Sequence, residues 1–204
     1  MKDIFIAGTD TNVGKTIVSA WLCNILKADY FKPIQSGVEE QFPRTDSEFM
    51  QSINLGNYIF PEIYKFRLPL SPHISAKLDN QEIDLSKIQI PQHNNRIIVE
   101  GAGGLYVPLN NQDFIIDLIK KLDIATIIVA RTALGTINHT LLTVNALRQN
   151  NINILGVILV GEENLANKTA IQTYGKVKVL ATLPIFSDKN NWQGLKEFGH
   201  RLNI

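Results

Sequence analysis

Ile4-Phe5-Ile6-Ala7-Gly8-Thr9-Asp10-Thr11-Asn12-Val13-Gly14-Lys15-Thr16 is the stretch on which the reading of this 204-residue chain turns. An apolar run, a glycine-bounded loop ending in Gly-Lys-Thr, and then Ile17-Val18-Ser19-Ala20-Trp21-Leu22 at helical spacing make a strand–loop–helix unit. Backbone N–H groups of such a loop converge with the unpaired donors of the first helical turn, where the helix dipole favours an anion. Lys15 adds a mobile positive charge for outer phosphates, Thr16 a hydroxyl suited to Mg²⁺, and Gly14 room for close backbone approach. Five residues rather than four separate Gly8 from Gly14-Lys15, and Thr9 stands where the usual pattern has glycine. An ordinary strand-to-helix turn is the bland alternative. The flanking strand and helix favour nucleotide binding.

The rest of the composition narrows the class. The chain is long enough for one substantial α/β core. A net charge of +1 without a basic block gives no reason to expect nucleic acid as a partner. The sequence starts directly with a strand, with no secretory leader, and no apolar run approaches a membrane span. A single cysteine, Cys23, leaves no internal disulfide and reads as a small core residue of a cytoplasmic protein.

Following the chain, a first helix is expected from about Lys15 to Lys27, and Tyr30-Phe31 lead into the strand end and loop Lys32-Pro33-Ile34-Gln35-Ser36-Gly37. Thr45-Asp46-Ser47 starts a helix, Tyr58 to Leu70 reads as irregular, and Ser71-Pro72 opens another helix. A short helix is possible at Asp84–Ile88. Arg96-Ile97-Ile98-Val99 reads as a strand buried on both faces, with Glu100 at its carboxyl end before Gly101-Ala102-Gly103-Gly104. Helices near Phe114–Leu122, Asn138–Gln149, Asn167–Tyr174 and Trp192–Leu202 alternate with strands at Ala125–Val129, Ile154–Val160 and Val177–Leu180. That alternation predicts one α/β domain spanning residues 1–204, a mostly parallel central sheet with helices on both faces.

Taken singly, the chemical residues are uneven. Glu100 followed by four small residues points to a ligand site, because the backbone there can be approached closely. Asp46 is equally a helix-cap residue, and Lys32 alone reads as a solvated surface charge. His73 and His139 have no partners at metal-ligand spacing, and Tyr106 and Trp192 read as packing residues.

Taken together they are more specific. Gly8-Thr-Asp-Thr-Asn-Val-Gly-Lys-Thr16, Lys32-Pro-Ile-Gln-Ser36-Gly, Thr45-Asp46, Ser71-Pro-His73, Val99-Glu100-Gly-Ala-Gly-Gly104 and Leu134-Gly-Thr-Ile-Asn138-His139 occur in order. This set resembles the dethiobiotin synthetases, over nearly the whole chain. The resemblance implies a homodimer with a P-loop α/β fold that converts 7,8-diaminopelargonic acid, CO₂ and MgATP into dethiobiotin, ADP and phosphate. It implies that Lys32 contacts the carbamate and γ-phosphate with Lys15 beside it, and that Thr11 and Ser36 contact substrate. It further implies that Thr16, Asp46 and Glu100 hold Mg²⁺. Asn12, Val13, Gly14, Lys15, Thr16 and Ile17 would line the nucleotide with Asp46, Glu100, Gly101, Ala102 and Gly103. Gly135, Thr136 and Asn138 would precede a helix whose N-terminus receives the substrate carboxylate, in the family from the partner subunit. Pro184, Ile185 and Phe186 match the family's base-side segment, but its adenine-contacting asparagine has no counterpart at Val160-Gly161.

Other P-loop classes fit less well. A signalling GTPase needs Asp-x-x-Gly and Asn-Lys-x-Asp, whereas Asn167-Lys168 is followed here by Thr169-Ala170. Deviant P-loop ATPases, which act as dimeric switches or partition proteins, carry a signature lysine at the position of Asp10. The amidotransferase synthetase of cobalamin synthesis, with a similar loop, requires an attached glutaminase domain.

Overall fold

The computed structural model describes residues 2–39 and 44–185. Its frame is a seven-stranded sheet in which every paired neighbour is parallel, in the order β4-β2-β6-β1-β7-β8-β9. The strands are β1 (Ile4–Gly8), β2 (Asp29–Phe31), β4 (Ile59–Phe60), β6 (Ile97–Gly104), β7 (Ala125–Arg131), β8 (Ile154–Val160) and β9 (Val179–Leu183). A separate parallel pair, β3 (Ile34–Ser36) with β5 (Tyr64–Phe66), branches from the β2 end. Helices α1 (Lys15–Leu26), α2 (Asp46–Ser52), α3 (Pro72–Leu78), α4 (Ile115–Leu122), α5 (Thr136–Gln149) and α6 (Leu165–Gly175) complete the described chain, with a 3₁₀ turn at Leu85–Lys87.

Continuous apolar strands with helices on both sides need two cores, and alternation along each strand supplies them. Phe5, Ala7, Val99, Ile128 and Leu159 face the core beneath α4, α5 and α6. Ile4, Ile6, Ile98, Val129 and Ile158 face the other, where Val18, Trp21 and Leu22 of α1 and Met50 of α2 pack. Fully burying one such side chain contributes about 1.5–3 kcal/mol. No helix among the described residues is long and apolar enough to cross a membrane.

The departures from the expected elements are local. Tyr58 to Leu70, expected to be irregular, contains β4 and β5; strands of two and three residues carry no usable periodicity and depend on distant partners. The α5 helix starts at Thr136 rather than Asn138, so Gly135 is its left-handed N-cap and Thr136 and Asn138 lie inside its first turn. Glu100 does not end its strand. The small residues after it stay in β6, and Gly104 still pairs with Gly8 of β1. Tyr106, read as a packing residue, meets Phe114 edge-on at the surface and remains 60% exposed. The helix expected at Trp192–Leu202, and Trp192 itself, lie outside the described residues.

Candidate active site

A cavity of about 670 Å³ opens at the carboxyl ends of β1, β2 and β6, where parallel sheets place ligands. Its floor is the Gly8–Thr16 loop. Gly14 caps α1 in the left-handed conformation at φ 97°, a region that favours glycine. At Gly8 space is the constraint: a Cβ would lie 2.9 Å from Lys15 Nζ and 2.7 Å from the Asp10 carbonyl. The lysine folds back over the start of its own loop, donating to that carbonyl at 3.1 Å.

Strand register builds the charged centre. Asp29, Tyr30 and Phe31 pair with Ile97, Ile98 and Val99, and continuing that register sets Lys32 beside Glu100. Pro33 cannot donate to the ladder, so the chain turns away into β3 immediately after the lysine. Lys32 Nζ lies 2.7 Å from Asp46 Oδ2 and 3.1 Å from Glu100 Oε1. Thr16 Oγ1 lies 2.7 Å from Asp46 Oδ1 and 2.9 Å from Glu100 Oε1. The other Glu100 oxygen accepts from Ser19 Oγ at 2.8 Å and from Tyr30 Oη at 3.0 Å. Asp46 is brought in by α2, whose start is set by Thr45. The Thr45 hydroxyl accepts from the Glu48 N–H, and the Glu48 carboxylate accepts from the Thr45 N–H. Asp46, expected as either a cap or a ligand, is therefore the first helical residue, its carboxylate free to face the centre.

These residues are buried. Lys32, Lys15 and Glu100 expose 5%, 7% and 1% of their surface. Burial works against the Lys32 charge, but Glu100 and Asp46 together outweigh it and hold the ammonium above the usual lysine range. The lone solvated charge read from the residues is thus a buried ion-paired one. Burial, then repulsion from Lys32, brings Lys15 down to about 8. Burial alone would raise the Asp46 carboxyl, yet Lys32 and the Thr16 hydroxyl keep it low. Burial and the Glu100 charge push the Tyr30 hydroxyl well up, so it serves as a donor.

Thr16 has one hydroxyl proton and two carboxylate oxygens within reach, so it donates to one at a time and meets the other lone pair to lone pair. Three hard oxygens converging this closely suit a small divalent ion with phosphate oxygens completing its shell.

Of the residues singled out in the sequence, Thr11, Asn12, Gly14, Lys15, Thr16, Ile17, Lys32, Ser36, Asp46, Glu100, Ala102 and Gly103 line this cavity. Val13 is turned into the α1 core instead. Gly101 faces Phe5, whose ring would meet its Cβ at 2.9 Å, because it has the opposite parity to Glu100. Gly135, Thr136 and Asn138 sit apart at the start of α5. Pro184 and Ile185 follow β9 without lining the cavity, Ile185 being 71% exposed, and Phe186 lies outside the described residues. Ser19 and Tyr30 were missed. Each shares a face with a residue already chosen, Ser19 three positions after Thr16 on a helix and Tyr30 two before Lys32 on a strand, and that was the available signal.

A phosphate loop, two buried lysines and an oxygen cluster at the edge of a parallel sheet define a P-loop nucleotide-binding protein. Residues 2–192 match the family model described as "AAA domain". Among solved structures, the septum site-determining protein MinD complexed with Mg-ADP from Pyrococcus horikoshii has a TM-score of 0.54 at 16% identity, covering 96% of this chain and 85% of that one. MinD from Pyrococcus furiosus, also at 0.54, is 14% identical over 97% and 88%. At that identity the likeness concerns fold alone. The ATP-dependent dethiobiotin synthetase of Lawsonia intracellularis is 47% identical over 183 residues, 90% of this chain and 88% of that protein. The enzyme of the same name from Paramagnetospirillum magneticum is 44% identical over the same shares. This chain belongs to the ATP-dependent dethiobiotin synthetase family.

Proposed function

We propose that the protein converts 7,8-diaminopelargonic acid, CO₂ and ATP into dethiobiotin, ADP and phosphate. The observation that carries this reading is the pairing of the buried Lys15 and Lys32 in one cavity with Thr16, Asp46 and Glu100, within this family. One substrate amine takes up CO₂ as a carbamate, ATP phosphorylates it to a carbamic–phosphoric anhydride, and the second amine closes the cyclic urea and expels phosphate. Each stage carries anionic oxygens between the γ-phosphate and the diamine, and fixed cations there lower its energy.

Lys15 lies beside the loop that takes the phosphates, and Lys32 faces the carbamate and γ-phosphate. Thr11 and Ser36, both lining the cavity, hold the diamine; among the described residues the buried Ser36 hydroxyl has no hydrogen-bond partner. Asn12, Gly14, Ile17, Ala102 and Gly103 enclose the nucleotide, and Pro184, Ile185 and Phe186 flank its base. Thr16, Asp46 and Glu100 are the residues that would hold Mg²⁺, which when bound neutralises phosphate charge.

The substrate carboxylate goes to the α5 N-terminus at Gly135, Thr136 and Asn138, where the buried Thr136 hydroxyl has no hydrogen-bond partner among the described residues. In a homodimer this end belongs to the partner's site. Beside it, exposed Tyr106 and Leu142 line a further hollow of about 360 Å³, and Leu134 just before the helix is fully exposed, apolar surface that a second copy would cover. Incubation with the diamine, bicarbonate and MgATP, followed by mass detection of dethiobiotin, tests the reading. Folded protein that yields no product defeats it.

A further inference from the structure

The two carboxylates assigned above to a divalent ion already share one cationic side chain of the protein, which offsets half of their charge. Lys32 Nζ bridges Asp46 and Glu100 at 2.7 and 3.1 Å, and the three side chains are 6%, 31% and 1% exposed. Glu100 has no spare oxygen with which to relieve a competition. Its Oε2 is taken by the Ser19 and Tyr30 hydroxyls, both on fully buried residues, so a metal ion and Lys32 must both use Oε1. Thr16 already approaches that oxygen from the loop side. An ammonium and a divalent cation on one carboxylate oxygen, within hydrogen-bonding distance and shielded from water, repel strongly. The lysine has the mobile partner's role, with a four-carbon stem lying against an open cavity, whereas the carboxylates are fixed by β6 and by the start of α2.

We propose that Lys32 is the resident counter-ion of the Asp46–Glu100 pair, and that divalent-ion binding displaces it into the cavity. The lysine then reaches the transferring phosphate and carbamate only once the metal is in place. ATP entering without metal finds Lys32 still held by its carboxylates. Lys15 is not subject to this exchange, because it rests on the Asp10 carbonyl and not between the acids. The inference rests on the assignment of Thr16, Asp46 and Glu100 as the metal-holding set.

Manganese, whose binding is read directly by electron paramagnetic resonance, serves as the probe in the nucleotide-free protein. Removing the competing charge in Lys32→Met is expected to tighten Mn²⁺ binding by about tenfold or more, the repulsion of a nearby ammonium being relieved. Equal or weaker affinity in the folded variant overturns the proposal, as does no Mn²⁺ binding to either form. Wild-type protein supplies an independent reading that needs no variant. Adding Mg²⁺ without nucleotide should move the Lys32 Cε and Nζ resonances along a saturating curve. A Lys32 signal that stays fixed while metal binds overturns the exchange. Neither readout depends on dethiobiotin formation, so failure of the substrate assignment and failure of this inference are distinguishable.

Discussion

Replacing Glu100 by glutamine removes one charge from the centre of the buried network while nearly preserving its shape. The native carboxylate accepts from Ser19, Tyr30 and Lys32 at 2.8–3.1 Å and shares the Thr16 hydroxyl, 2.9 Å away, with Asp46. An amide can keep its oxygen toward Lys32 and turn its NH₂ toward the Ser19 and Tyr30 hydroxyls, which are able to accept. Lys32 also retains Asp46 at 2.7 Å, so its charge is not orphaned. The loss is therefore less than the ~3–5 kcal/mol of a buried pair broken outright, and we expect about 2–3 kcal/mol. For a chain of this size that lowers the melting temperature by about 4–12 °C. Glu100→Ala, which leaves a cavity and strips the Ser19, Tyr30 and Lys32 donors of their shared acceptor, should fall further. Thermal unfolding in metal-free buffer measures both, and the turnover of Glu100→Gln should drop by about 100-fold. An unchanged melting temperature would refute the view that Glu100 is the hub of the site. Near-native turnover in a destabilised variant would remove its catalytic part.

Lys15→Met should weaken nucleotide binding yet stabilise the nucleotide-free protein below pH 8, by on the order of 1–3 kcal/mol. Because the folded-state value is lowered to about 8 from 10.5, the unfolded chain holds the extra proton between those limits. Wild-type stability consequently rises with pH across that window, and Lys15→Met should lose this slope; pH-dependent denaturant melts would expose an error in either direction. Discrimination among nucleoside triphosphates should be weak, with kcat/KM for ATP within about tenfold of the others, since the adenine-contacting asparagine that the family resemblance implies has no counterpart at Val160-Gly161. A steep preference for ATP refutes this. Nor should Gly161→Asn restore the contact by itself: Gly161 has φ 141° and its Cβ would collide with Thr132 Oγ1, so that variant is expected to lose stability without gaining selectivity.

Much of this molecule could be read along one dimension. The phosphate loop is contiguous, and its chemistry follows from residues 8–16 and the helix they open. The buried strands around Val99, Ile127 and Ile158 announce themselves as apolar runs, and alternation with helices settles the parallel sheet. The joint motifs carried the family as well, since they recur in order through nearly the whole chain. What the linear pattern could not supply was distance. Glu100 is 84 positions from Thr16 and 68 from Lys32, and only the β2–β6 register makes Lys32 and Glu100 neighbours. That register also makes Lys32 a buried ion instead of a surface charge. Likewise Ser19 and Tyr30 become donors to one carboxylate oxygen only when α1 packs on the face of the sheet to which β2, paired beside β6, turns Tyr30. Local steric and hydrogen-bonding rules act over a few residues and are legible in sequence. Burial, ion pairing and the competition for one carboxylate oxygen arise between segments that only folding brings together.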